Sequence, residues 1–288
     1  MDALDRLRVT VLAEDSVGYE TPYLGQHGIS LLLDAERGDT TRRVLIDVAQ
    51  HPDPLLFNME QMGIKPATID TIVLTHCHYD HTRGLARILE MIGKDDVPVV
   101  AHPDVFRMTF ITDPYLRHIG VPASDSRERI EAAGGQLFLV RTPLALMPGL
   151  TTSGEIERNT DFEAPEMELR TIREQRVEVD EVADDMSVFA VTKESDAIVL
   201  TGCSHAGIVN ITRAARQMSG GTVGAVVGGL HLVEASAERI TRTAAALNEE
   251  GVSRVFAGHC TGFPAQVELA GLYSDRFAPL RTGDVLEF

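Results

Sequence analysis

The stretch 75-THCHYDHTRG-84 places His76, His78, Asp80 and His81 within six positions. It directly follows the apolar run 71-TIVL-74 and directly precedes the helical pattern 84-GLARILEMIG-93. Imidazole nitrogens and carboxylates are ligands for a borderline cation such as zinc or ferrous iron. His76 and His78, two apart on an extended strand end, point the same way and can offer two ligands to one ion. Asp80 and His81 fall where the chain turns into a helix beginning near Thr82, which aims them across the loop and suits a second ion. Histidines in loops are ordinarily solvated or hydrogen-bonded, but that does not explain a strand, this spacing and a helix occurring together.

The rest of the chain sets the bounds. Its 288 residues are expected to form one domain, 1–288. With 44% hydrophobic and 24% charged residues it has an ordinary enzyme composition. No run reaches the roughly 18 to 20 apolar residues of a membrane helix, and the start, MDALDRLRVTVLAED, lacks the features of a signal peptide. A cytoplasmic location and no membrane partner are therefore expected. Twenty-six basic and 43 acidic residues leave a net charge of −17, which disfavours nucleic acid. The odd count of three cysteines argues for free thiols, each beside a candidate ligand: Cys77 between His76 and His78, Cys203 near His205, Cys260 after His259.

Ten short runs read as strands: LRVTVLA, GISLLLD, RRVLIDV, TIVLTH, VPVVAH, QLFLVR, SVFAVTK, AIVLTG, GAVVGG and SRVFAG. Helical periodicity marks GLARILEMIG, SRERIEAAGG, GIVNITRAARQMSGG and ASAERITRTAAALNEEG, most of them closed by Gly. This is a sheet-rich α/β chain. Residues 153–185 break the rhythm, being rich in acid but retaining Ile156, Phe162, Met167 and Leu169, and are expected to be an insertion packed over one edge of the domain. GCSHAG has the wrong glycine spacing for a serine-nucleophile elbow, and Gly220, Gly221 and Gly224 follow a helix instead of opening one. No nicotinamide cofactor is implied.

His-Cys-His-Tyr-Asp-His resembles the HxHxDH signature of the metallo-β-lactamase superfamily. QHGISLLL, VLIDVAQ, TSGEIERNTDFE, DDMSV, VLTGCSHAGIVN, VGGLHL and GHCTG further resemble its dihydropteroate-synthase-like branch, related to the archaeal enzyme that builds the pterin–arylamine linkage of methanopterin. The resemblance spans nearly the whole chain. It implies an αββα sandwich, two mixed sheets flanked by helices, with two divalent ions at one end: zinc first, manganese or iron as alternatives.

By that resemblance His76, His78, Asp80, His81 and His259 are metal ligands, and Asp80 also orients a nucleophile. The usual bridging aspartate is replaced by the segment holding Cys203 and His205, which share that role, with His205 preferred. Glu155 of SGEI stands where relatives have a histidine and is a further candidate ligand. Asp47, matching the family's Asp-Thr-Gly position without its Thr-Gly, is expected to hold a ligand from behind. His231 is assigned to catalysis and substrate contact, and His27 and Glu163 to substrate contact. His51, His102 and His118 are read as structural or surface residues. In this working arrangement His76, His78 and His205 hold one ion, and Asp80, His81 and His259 the other. Residues 153–185 are expected to act as a lid that brings Glu155, Glu163, Asp184 and Asp185 to the border of a cationic centre.

The implied activity is that of a metal-dependent hydrolase or transferase on a small phosphorylated or pterin-like substrate. In the transferase case the ions would stabilise a departing pyrophosphate while an arylamine attacks a pterin methylene. The alternatives are a metal-poor binding or scaffold protein on the same fold, and a phosphodiesterase or nuclease, which the charge disfavours. A flavo-diiron enzyme is excluded, because no second flavin domain fits in this length. Homo-oligomerisation is left open.

Overall fold

A computed structural model describes residues 2–164, 168–193 and 196–288. All ten runs read as strands are strands. Two seven-stranded sheets form. The first runs in the order Val285–Glu287, Arg6–Ala13, Ser30–Arg37, Thr40–Ile46, Thr71–Val73, Val97–Ala101, Gly135–Leu139. The second runs Phe277–Pro279, Arg254–Gly258, Val223–Gly229, Ala197–Thr201, Ser187–Val191, Leu150–Thr152, Ala145–Met147. Both are mixed. In each, a side of antiparallel pairs meets a side of parallel ones, the change falling at Thr40–Ile46 in the first and Ala197–Thr201 in the second.

Alternation along the strands builds three apolar layers, because successive side chains point to opposite faces of a sheet. Val9, Val11, Leu31, Leu33, Val44, Ile46 and Val73 of the first sheet meet Leu150, Val188, Ala190, Ile198, Leu200, Ala225 and Val227 of the second in a central core. The intervening Leu12, Leu32, Leu45 and Ile72 pack outward under the helices Pro52–Gln61, Leu85–Ile92 and Arg127–Ala132. Phe189, Val199 and Val226 do the same under Ile208–Ser219, Ala237–Glu249 and Phe263–Tyr273. This is the αββα sandwich. Fully burying a Val or Leu is worth about 1.5–3 kcal/mol, so a strand slipped by one residue would put core residues on the wrong face.

Two helices were not among those read from periodicity. Pro52–Gln61 begins with prolines at its first turn, where no intrahelical N–H is lost, and Phe263–Tyr273 is apolar without gathering those residues on one face. The expected helix start near Thr82 is also displaced. A single turn, Tyr79–Thr82, breaks at Gly84, whose φ of +97° suits glycine, before the helix Leu85–Ile92 begins.

A third, four-stranded sheet was not expected. The insertion folds partly as the hairpin Arg170–Arg173 and Arg176–Val179, which pairs through Thr109–Ile111 with Arg117–His118. Ile156 and Phe162 pack on the second sheet's outer layer, and Leu169 is buried with Ile119 and Val182. Met167 lies outside the described residues. Among the described residues no helix is long and apolar enough to cross a membrane.

Candidate metal centre

The strand Thr71–Val73 ends in the motif, and its neighbour Thr40–Ile46 ends in Asp47. Asp47 is fully buried. One carboxylate oxygen accepts from Thr75 N (2.8 Å), and the other accepts from Thr75 Oγ1 (2.7 Å) and lies 2.7 Å from His81 Nδ1. With Nδ1 donating to that carboxylate, His81 turns Nε2 inward, 3.1 Å from Cys203 Sγ and 3.6 Å from Asp80 Oδ2. Asp80 Oδ2 is a meeting point, since His27 Nε2 and His259 Nε2 each lie 3.4 Å from it. Both of those rings turn Nδ1 toward Asp15, at 3.2 and 3.3 Å. Gly28 allows the close approach: a Cβ there would lie 2.0 Å from the Asp80 carbonyl oxygen.

The second sheet supplies the rest from three loops, each following one of its parallel strands. Cys203 and His205 follow Ala197–Thr201, His231 follows Val223–Gly229, and His259 follows Arg254–Gly258. Ser204, His231 and His259 have φ of 64°, 47° and 50°, and Asp47 in the first sheet has 54°. Non-glycine residues in that region are uncommon and cost on the order of 1–3 kcal/mol each. The chain accepts this where the strand ends turn into the site. Gly202 lets the loop pass Asp47 and Thr75, because a Cβ there would lie 2.2 Å from Thr75 Oγ1.

Seven of the ten histidines join in one series of ring contacts. From His27 it runs through His259, His81, His76, His78 and His205 to His231, with neighbouring centroids 4.0–5.3 Å apart. His76, His78 and His205 each offer a ligand atom within 4.8 Å of the others, as do His76, His81 and Cys203, and Cys203, His205 and His231. Both Cys203 and His205 enter the cluster, so the choice between them is not forced by position. Burial, reinforced by neighbouring imidazoles, holds His76 and His205 well below the usual histidine range, and burial brings His78 down to about 3. They are neutral imidazoles with lone pairs to offer. Among the described residues His78 Nε2, both ring nitrogens of His205 and His231 Nδ1 have no hydrogen-bond partner, an arrangement that is costly in a buried site unless a bound group pairs with them. Burial would raise Asp80, but His81, His259 and His78 outweigh it and keep the carboxylate ionised. The donor set fits divalent cations of the zinc class.

Other assigned residues are used differently. Glu155 does not join the histidines; its carboxylate takes His102 Nε2 at 2.7 Å and Arg141. His102, read as structural, is buried and caps a short helical turn through Asp104 N. Glu163, expected at the substrate, caps the helix Ile208–Ser219, accepting from Val209 N (2.9 Å) and Asn210 N (3.2 Å). Asp184 and Asp185 do reach the site, but as supports. Asp184 accepts from Cys77 N inside the motif and pairs with Arg107 at 2.6 Å, and Asp185 accepts from Ala206 N beside His205. The end of the insertion therefore buttresses both ligand loops, while its start faces elsewhere. Three contributors escaped the sequence reading: Asp15, Glu14, which accepts from His259 N, and Thr75. Thr75 opens the motif stretch itself, whereas Asp15 and Glu14 share no motif with the histidines. Only the strand register brings them in.

Comparison with known proteins agrees with this geometry. Residues 30–157 match the sequence model of the Metallo-beta-lactamase superfamily. Over 289 aligned residues, 99% of this chain and 98% of the relative, the sequence is 39% identical to the 7,8-dihydropterin-6-methyl-4-(β-D-ribofuranosyl)-aminobenzene-5′-phosphate synthase of Methanocaldococcus jannaschii. The chain belongs to the metallo-β-lactamase superfamily. Among solved superfamily structures, Tm1679, a metal-dependent hydrolase of the β-lactamase superfamily, superposes with a TM-score of 0.82 at 24% identity, covering 98% of this chain and 99% of that one. Zn²⁺-bound PqqB from Methylobacterium extorquens does so with 0.57 at 14% identity, covering 97% and 99%. These structures share the metallo-β-lactamase fold.

Proposed function

We propose that this chain is a metal-dependent transferase of the synthase type, joining a dihydropterin-6-methyl group to a ribofuranosyl-aminobenzene phosphate at a dinuclear centre. The observation that carries the reading is the buried imidazole series with unpartnered ring nitrogens, in a chain 39% identical to that synthase from end to end. His76, His78 and His205 would hold one ion, Asp80, His81 and His259 the other, with Cys203 between the two sets; zinc is the first candidate, manganese or iron the others. Bound there, the ions would supply positive charge for the oxygen that leaves with the bond.

The chain's own residues set the geometry. Asp47 fixes the tautomer of His81, and Asp15 fixes those of His27 and His259, so all three rings present Nε2 toward Asp80. His231, half-buried with Nδ1 unpartnered and its ring 4.0 Å from that of His205, would take the proton an attacking amine releases. Transfer is favoured over hydrolysis by the relative's reaction. To test the proposal, protein purified without chelators is analysed for metal, then incubated with an activated dihydropterin-6-methyl donor and 4-(β-D-ribofuranosyl)-aminobenzene 5′-phosphate. Near two divalent ions per chain and a coupled product by mass spectrometry support it. Hydrolysis of the donor without coupling, or no turnover by fully loaded protein, would sink it.

A further inference from the structure

Tyr79, inside the motif, carries more than its place in the loop requires. Its ring centroid is 6.4 Å from that of His27, on the side of the cluster where His27 approaches Asp80. Two guanidinium carbons lie over the same ring: Arg83 at 5.0 Å and Arg117 at 6.0 Å from the centroid. We infer that Arg83, Arg117 and Tyr79 form a lip that binds the phosphate group of a phosphorylated substrate at the edge of the metal centre. The substrate's identity rests on the proposed function; the anion-binding lip does not.

The two arginines are uncompensated. Among the described residues neither makes an ion pair or side-chain hydrogen bond, in a chain of net charge −17 where acidic partners are plentiful. Arg107, close by in the fold, shows the contrast: Asp180 and Asp184 neutralise it at 2.9 and 2.6 Å. Arg242 also lies over an aromatic ring, Phe162, but is paired with Asp161 at 2.8 Å. Two like charges gathered at one ring repel each other. The face of Tyr79 offsets part of that through cation–π attraction, and a bound dianion offsets it far better.

Their backbones are fixed. Arg83 closes the turn of the motif, donating its N–H to Tyr79 O at 3.0 Å. Arg117 sits in the third sheet opposite Ile111, and Tyr79 N donates to Ile119 O at 2.9 Å, which docks that sheet against the motif. The small sheet that the insertion completes thus presents a cation beside the catalytic loop. Guanidinium is the side chain best matched to phosphate, which it holds through paired N–H donors.

The test compares wild type with the double variant Arg83→Gln plus Arg117→Gln by calorimetric titration. Two probe pairs are used: 4-(β-D-ribofuranosyl)-aminobenzene 5′-phosphate against its 5′-hydroxyl form, and phenyl phosphate against phenol. Arg127→Gln is the control, since Arg127 lies over a different aromatic ring, Phe106, and not over Tyr79. Wild type and control should bind the phosphorylated member of each pair on the order of thirtyfold more tightly, as expected for two solvent-accessible ion pairs. The double variant should keep its affinity for the uncharged members and fall to within about threefold between members. If only phenyl phosphate shows this pattern, the lip stands and the assigned substrate fails. A phosphate preference retained in the double variant, or absent from wild type for both pairs, overturns the lip.

Discussion

In the first half of the chain, four candidate ligands stand within six residues after a single strand; in the second half, Cys203, His205, His231 and His259 stand on three loops spread over 57 positions. The first arrangement is contiguous in sequence and is braced by Asp47 on the neighbouring strand and, across 107 positions, by Asp184 on Cys77 N. The second exists only because parallel strands are in register, Thr201 beside Gly228 and Gly229 beside Gly258. One half stores the site as a motif, the other as a topology. Changes in the motif should therefore remove ligands outright, whereas changes in the second half should weaken the site in steps.

The largest expected effect lies in the motif. His76→Ala combined with His78→Ala should remove at least one ion per chain and lower turnover on the order of 10⁴-fold, checked by elemental analysis and steady-state kinetics. Full metal content in that variant would break the comparison. In the second half, His205→Ala should weaken metal binding about a hundredfold while Cys203→Ser retains most metal and rate, followed by competition with a chromogenic chelator. The opposite result would move the role to the thiol and predict sensitivity to thiol oxidants.

The supports come next. Asp47→Asn should cost about 10- to 100-fold in metal affinity, as loss of the carboxylate behind a ligating imidazole does. Asp15→Asn should cost less, because Asp15 is partly exposed and holds its two imidazoles at longer distance. Equal losses would erase the distinction between the halves. Replacing the hairpin 170–179 with a short Gly/Ser linker should leave metal content intact and reduce kcat/KM on the order of tenfold, since Arg117 loses the support of its sheet. Unchanged kinetics would refute a substrate-facing role for the insertion.

The smallest effect concerns Asp185, whose carboxyl burial pushes up to about 7. A carboxyl with a raised folded-state pKa favours the native protein below its unfolded value, near 4, and that contribution is lost as pH rises through about 7. Relative to wild type, Asp185→Asn should therefore gain stability between pH 5 and pH 8, measured by urea unfolding at both pH values. An identical pH dependence in the two proteins would show that Asp185 does not titrate in this window.

The sequence by itself determined a sheet-rich α/β chain and the heart of the site, and its family resemblance the sandwich. The ten strand runs read as a sheet-rich α/β chain, the family resemblance implied that they stack as two sheets buried on both faces, and the metal-binding loop is readable because its chemistry is contiguous. The family resemblance separated the seven clustered histidines from His51, His102 and His118. Tertiary structure alone decided the rest. Asp15 and Glu14 reach His259 across 244 and 245 positions, Glu155 and Glu163 are drawn to His102 and a helix start, and Arg83 and Arg117 meet on Tyr79. A carboxylate or guanidinium has the same chemistry in every sequence context. What it does is fixed by the partner that strand register and loop direction place within hydrogen-bonding reach, and such partners lie too far apart in the chain for any local pattern to record.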